Sequence, residues 1–411
     1  MVLNYIWVAF FIVAFVVAIV RFILTGDSDI FKIVIDSTFT ASKSAVMDIA
    51  LPLTGVMVLW LGLMNIGEKA GAVNFLARIT TPFFVRLFPE LPRKSPVFGQ
   101  MLMNFSANML GLDNAATPLG LKAMQGLQDE NPCKDTASNA QIMFLVINTS
   151  SLTIIPVTII TQRMILGASN PTDIFIPILI ATAISTLAGI FVVALKQGIN
   201  LFDKVLITWI GGIIALIAAL TFWISSIQKE QVETVSSIGS NLLLIIIIGS
   251  FIVGAVYKKV NVYEAFIDGA KNGFEVTIKI IPYLVGMLVG IAVFRASGAM
   301  DYIIFAFENI FSLFGLNTDF VAALPTAIMK PLSGSGAKAM MVEAMQYYGP
   351  DSFVGRLSCL FQGAADTTFY IIALYFGSVG IRKTRYAVAA GLIADLAGVI
   401  AAIALAYLFW T

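Results

Sequence analysis

The stretch Lys330-Pro331-Leu332-Ser333-Gly334-Ser335-Gly336-Ala337-Lys338 lies between two apolar runs, Phe320–Met329 and the methionine-rich Ala339–Met345. Proline removes a backbone donor and glycine weakens a helix, so this stretch cannot continue a lipid-facing helix. The carbonyl and amide groups it frees are tolerated at membrane depth only where protein buries them or where they line a water-filled cavity. A broken helix with intramembrane charge is a design that transporters use for a substrate site.

The rest of the chain places that stretch in a membrane. Of 411 residues, 59% are hydrophobic and only 12% charged, too apolar a balance for a soluble chain of this length. Repeated runs approach the length of a bilayer crossing, which sets the class: an all-α polytopic membrane protein embedded in a lipid bilayer. The net charge of +1 gives no reason to expect nucleic acid, and the absence of histidine removes His-based catalysis and the common His metal sites. Cys133 and Cys359 have no zinc spacing and read as packing residues. The first run, Val2–Leu24, lacks a basic n-region and reads as a retained helix.

The order of features repeats. Asp29–Ser44 and Lys258–Lys279 alternate apolar and charged residues and read as interfacial helices. Each precedes a pair of apolar runs, at 45–87 and 280–314, which read either as two spans or as a re-entrant hairpin. Ile35-Asp36 matches Ile267-Asp268, Ala50-Leu51-Pro52 matches Ile280-Ile281-Pro282, and Lys122-Ala123-Met124-Gln125 matches Glu343-Ala344-Met345-Gln346. The last register sets Asp113 opposite Gly334, Asn114 opposite Ser335 and Thr117 opposite Lys338. Ser151 then falls opposite Asp366. The expected organisation is a first repeat over 1–200, a linker with one extra transmembrane helix over 201–239, and a second repeat over 240–411.

One extra crossing turns the second copy upside down. The basic residues of the second half, with Lys196 and Lys204, fit one cytoplasmic side. Arg21, Lys32, Lys43, Arg86, Arg93 and Lys94 would then fall outside. Crossing count favours inverted repeats, these charges favour parallel ones, and inverted repeats are the expectation.

Several segments resemble known families. Tyr263-Glu264-Ala265-Phe266, the run Ile281–Val289, Gly349-Pro350-Asp351-Ser352-Phe353, Gln362–Thr368 and Tyr375–Arg382 resemble the spore maturation protein B family. Met103–Asn108 and Gly111–Pro118 resemble spore maturation protein A. The chain looks like a fusion of the two, with Leu206–Ser226 as the joining helix. Both families carry the gate, or nucleoside-recognition, domain shared with concentrative nucleoside transporters. That resemblance implies re-entrant hairpins and discontinuous helices around a central site, and it implies no particular substrate.

The candidate substrate-binding residues are Asn104, Ser106, Asn108, Asp113, Asn114, Thr117, Asn148, Ser151, Ser333, Ser335, Lys338, Gln362, Asp366, Thr367 and Thr368. Lys338 meets an anionic group or pairs with a site carboxylate, and it ranks above Lys330, which lies nearer the end of an apolar run. Asp113 or Asp366 binds a coupling Na⁺, takes up a proton, or neutralises Lys338. Small polar side chains also serve as ordinary helix–helix contacts in membranes. Glu68-Lys69 and Arg295 read equally as a buried gate or as solvated turns. The expected function is secondary transport of a small polar or anionic solute, nucleoside-like by kinship, with no enzyme activity. The expected setting is the bacterial inner membrane, with a homo-oligomer open. The rivals are an envelope-assembly scaffold and a lipid- or cell-wall-related enzyme using Ser333 or Ser335 with Lys338.

Overall fold

The computed structural model describes residues 2–92, 95–111, 113–150, 152–226, 229–315 and 317–411. In chain order the helices are α1 (Val2–Thr25), α2 (Asp29–Ser44), α3 (Leu51–Ala70), α4 (Ala72–Leu87), α5 (Val97–Met109) and α6 (Asp113–Asp129). Then come α7 (Asn139–Ser150), α8 (Val157–Ile165), α9 (Phe175–Gln197), α10 (Lys204–Ser226), α11 (Lys229–Tyr257) and α12 (Val262–Ala296). The last are α13 (Ala299–Leu313), α14 (Leu324–Met329), α15 (Gly334–Tyr348), α16 (Phe353–Gly363), α17 (Thr368–Ser378) and α18 (Ala387–Trp410). Seven helical stretches among the described residues are long and apolar enough to cross a membrane, or eight if one bent pair counts as a single span.

The expected interfacial helix Asp29–Ser44 is not a separate element. It continues through a π-helical turn, Ala45–Ala50, into α3, forming one helix over Asp29–Ala70. Its counterpart in the second copy is likewise continuous within α12. Amphipathic periodicity marks a polar face but not a helix end, and no breaker separates Ser44 from Leu51. α3 and α12 make the most extensive helix pair of the molecule. Gly269 and Gly273 permit it: a Cβ on either would stand 2.3 Å from the Leu61 carbonyl oxygen or 2.7 Å from the Val58 Cα. The Asn65 amide donates to the Ala265 carbonyl at 2.6 Å across the same contact. At the left-handed Gly71 and Gly298 the chain leaves these long helices. At the second site the turn is 72°, so α13 lies across the direction of α12.

Backbone and side-chain contacts fix which ends share a face. The loop after α6 pairs with the exit of α17, where the Arg382 amide donates to the Asp135 carbonyl at 2.9 Å and Ala137 N to Lys383 O at 3.0 Å. The end of α9 joins this near face through Gln197, which donates to the Tyr386 hydroxyl at 2.9 Å. The Phe353–Ser378 span therefore starts on the far face. There the loop after α15 meets the exit of α8: Arg163 ion-pairs with Asp351 at 3.0 Å, and Ser169 N donates to Asp351 at 2.8 Å. Equivalent loops of the two copies thus lie on opposite faces. The repeats are inverted.

The same contacts locate the re-entrant hairpins. Ser95, just before α5, donates to Glu130, just after α6, at 2.5 Å, so hairpin α5–α6 begins and ends on the near face. Asp319, ahead of α14, is close enough for its charge to act on Tyr407 near the end of α18, while α15 ends at the far-face loop. Hairpin α14–α15 therefore begins and ends on the far face. The re-entrant elements are 97–129 and 324–348, the stretches expected to be broken spans. Residues 45–87 and 280–314 instead supply long scaffold helices followed by bent-off ones.

This geometry resolves the charge conflict in part. Arg86 pairs with Asp203 at 3.6 Å, beside Lys204, and so belongs to the near face with Lys134, Lys196, Arg382, Lys383 and Arg385. Arg21 stays on the opposite face, 4.0 Å from the Cβ direction of Gly298. Arg93 and Lys94 lie outside the described residues. The near face thus gathers several of the basic residues, the pattern that the positive-inside rule associates with a cytoplasmic side.

Candidate functional site

Four chain breaks converge at the centre. Two are hairpin tips, between α5 and α6 and between α14 and α15. Two are interruptions of crossing elements, between α7 and α8 and between α16 and α17. α6 begins at Asp113 and α15 at Gly334, the register set by the sequence repeat. Each break has a local cause. At the second tip, Ser333 is extended and its hydroxyl accepts from Gly336 N at 3.0 Å, capping α15. At the first, Gly111 adopts the left-handed conformation. Thr367 is extended and starts α17.

The breaks hold one another. Asp366 N donates to Thr149 O at 2.7 Å, Phe369 N to Pro331 O at 3.0 Å, and Ile154 N to Met109 O at 2.8 Å. Backbone groups freed by the breaks thus find partners in other breaks, as burial requires. A Cβ on Gly334 would stand 2.6 Å from Thr367 Oγ1, so the second tip touches the interruption directly.

Between them lies a cavity of about 370 Å³, within the range of roughly 300–1,000 Å³ usual for small-molecule sites. Met57, Trp60, Leu61 and Met64 of α3 form an apolar wall. The opposite walls come from both copies and carry the polar side chains: Asn108, then Thr153 and Thr158, then Lys330, Ser335 and Lys338, then Gln362 and Asp366, beside the apolar Ile155, Val157 and Ile159. The first turns of α8 (Val157, Thr158) and α15 (Gly334, Ser335) open onto it, and helix N-termini favour negative charge. Lys330, Lys338 and Asp366, with two such termini, give this part of the cavity its charged character.

Of the residues expected from sequence, Asn108, Ser335, Lys338, Gln362 and Asp366 line the cavity. Lys330, ranked lower, lines it equally and is buried. Asn148 lies behind Asn108 and accepts from it at 2.8 Å. Asn104 is fully buried and donates to the Ala116 carbonyl at 2.8 Å, inside the hairpin, and to the Tyr375 hydroxyl of α17 at 3.4 Å. Ser106 is buried in α5 and Thr117 half-buried in α6, both away from the lining. Ser333 and Thr367 shape the breaks, and Thr368 donates to Asp395 at 2.7 Å. Ser151 lies outside the described residues, as do the side chains of Asp113 and Asn114.

Trp60, Thr153, Thr158, Tyr375 and Asp395 were not anticipated. For Asp395 the signal was present: one carboxylate inside the otherwise apolar run Ala387–Trp410. Glu68-Lys69 and Arg295 also find their places. Lys69 pairs with Asp268 at 2.9 Å in a half-exposed contact. Arg295 is largely buried, pairs with Glu343 and lies 4.2 Å over the Tyr347 ring, tying the second hairpin to α12.

Comparison with known proteins agrees with this division into copies. The Gate (nucleoside recognition) family model matches residues 50–166 and 277–382, together just over half of the chain. Spore maturation protein B of Bacillus subtilis (strain 168) is 46% identical over 171 residues, 42% of this chain and 94% of that protein. Spore maturation protein A of the same organism is 39% identical over 189 residues, 46% of this chain and 92% of that protein. The two similarities occupy separate halves. No solved structure matches the chain. The chain therefore belongs to the Gate (nucleoside recognition) family, carries its domain twice, and is organised like a fusion of spore maturation proteins A and B.

Proposed function

We propose that this membrane protein is a secondary transporter of a small anionic or polar solute in the bacterial cytoplasmic membrane, and not an enzyme. The observation that carries the reading is the central cavity, lined by broken elements of both inverted copies and by Lys330 and Lys338. In such a site, half-helix N-termini meet the anionic group of the solute and hairpins from opposite faces close it on either side. The long α3–α12 pair is the scaffold against which the hairpins move. Binding of Na⁺ or H⁺ beside the solute would supply the driving force. A nucleoside-like solute is compatible with the family name, and the lysines favour its phosphorylated form over the neutral one.

The test is counterflow into proteoliposomes of the full chain, using labelled inorganic phosphate, short carboxylates, uridine and uridine monophosphate. Accumulation of an anionic probe, reduced about tenfold or more by Lys338→Ala, is expected, since hydrogen bonds to a charged group contribute about 1.5–3 kcal/mol. Equal handling of neutral and anionic probes, unchanged by Lys338→Ala, would refute the anion reading.

A further inference from the structure

Asp395 lies in α18, beyond both segments matched by the family model. Its side chain is 5% exposed, in the middle of a helix apolar enough to cross the membrane. One carboxyl oxygen accepts from the Thr368 hydroxyl at 2.7 Å. The other is buried and has no hydrogen-bond partner among the described residues. An ionisable group at this depth is costly unless it is paired, so its retention in a transport fold calls for a role.

Hydroxyls of the packed helices lie close by. α7 and α9 pack against α18 and present hydroxyls, with Thr149 Oγ1 3.5 Å from the Cβ direction of Gly391 and Ser185 donating to Ala394 O at 2.8 Å. From the breaks, two charged groups act on Asp395: Lys330 and Asp366, both of which line the central cavity. Thr368 is the first residue of α17, and the break before it contributes Ala365 and Asp366 to the cavity wall.

We propose that Asp395 is the proton-carrying group of this transporter, exchanging one proton between its unpartnered carboxyl oxygen and water that reaches the site as the protein changes conformation. This rests on the transport reading and names its coupling ion. The proton adds to a carboxylate oxygen and leaves from it, and no other bond changes. Protonation withdraws the negative charge that holds the Thr368 hydroxyl and that Lys330 faces. The start of α17 is then released from a hydrogen-bond partner, and the second hairpin tip loses an electrostatic attraction. Charge at Asp395 thereby reaches the walls of the solute cavity without contact between proton and solute.

The experiment is infrared difference spectroscopy of the full chain in detergent, titrated from mildly alkaline to mildly acidic buffer with protons as the only ligand. A carboxylic-acid carbonyl band that titrates in the wild type and is lost in Asp395→Asn, yet persists in Asp366→Asn, is the expected result. A wild-type minus Asp395→Asn difference with no titrating carbonyl band would overturn the assignment. Should Asp395→Asn not fold, Thr368→Val is read instead. Displacement of the band supports the assignment, and an unmoved band refutes it. Proteoliposomes that take up no probe would sink the transport reading while leaving this band intact, so the two failures are separable.

Discussion

The two faces of the molecule make the same connection in different ways. On each, the loop between a hairpin and the following broken helix is tied to the exit of the other copy's broken helix. On the near face the tie is backbone to backbone, with Arg382 N, Lys383 N and Ala137 N all donating across it. Its ion pair, Lys383 with Asp135 at 3.1 Å, is exposed. On the far face the tie is made of side chains. Arg163 and Asp173, both fully buried, pair at 2.9 Å, Arg356 reaches Asp173 at 2.8 Å, and Arg163 also holds Asp351. One tie resembles a short strand pairing, whose backbone bonds do not depend on side-chain identity. The other is a desolvated charge network in which each member depends on its partners.

The largest difference is expected at Asp173. Asp173→Asn leaves Arg163 and Arg356 buried without that carboxylate, and removing one partner of a buried pair typically destabilises by about 3–5 kcal/mol. A thermal melt of the purified protein measures it. A loss too small to resolve would show that the far-face network is not a structural tie.

Acid sharpens the same contrast. Burial raises the Asp351 carboxyl, but donation from Ser169 and the charges of Arg163 and Arg356 outweigh it and hold the group below the usual carboxylate range. The hydrogen bond from Thr136 and the nearby Lys383 lower the Asp135 carboxyl in the same sense. A lowered folded value means that each group stabilises the fold above its unfolded pKa of about 3.9. That contribution is lost as pH falls through the folded value. Melts across the acid range should therefore show a steeper loss for wild type than for Asp351→Asn. Asp135→Asn should differ little from wild type, because its loop is held by backbone and exposed pairs contribute little. Equal effects of the two substitutions would erase the distinction between the faces.

These ties also show what sequence could and could not reveal. The breaks were legible because Pro331, Gly334 and Gly336, and on the other side Gly111, interrupt apolar runs where no loop is expected, whereas Pro118 lies inside α6. Pairing Asp113 with Gly334 was legible because the two repeats align without a gap, and both residues start helices. The face from which each hairpin enters was not legible. It depends on contacts such as Ser95 with Glu130, 35 positions apart, and Arg163 with Asp351, 188 apart. Asn104 and Thr368 looked like site residues by type, yet their partners are Tyr375 and Asp395, which only the fold brings near. Arg163, with no charge close by in sequence, gave no sign of the buried network.

Two hairpins enter from opposite faces and meet at one cavity. Cys133 is exposed beyond the first hairpin on the near face, and Cys359 is buried, so the wild-type chain carries a natural reporter for one side. Asn317→Cys, in the exposed loop ahead of the second hairpin, adds a reporter for the other. Labelling with a membrane-impermeant maleimide in right-side-out and inverted vesicles reads both. Cys133 is expected to react only in inverted vesicles, and the cysteine at 317 only in right-side-out ones. Reaction of both from the same side would contradict entry from opposite faces.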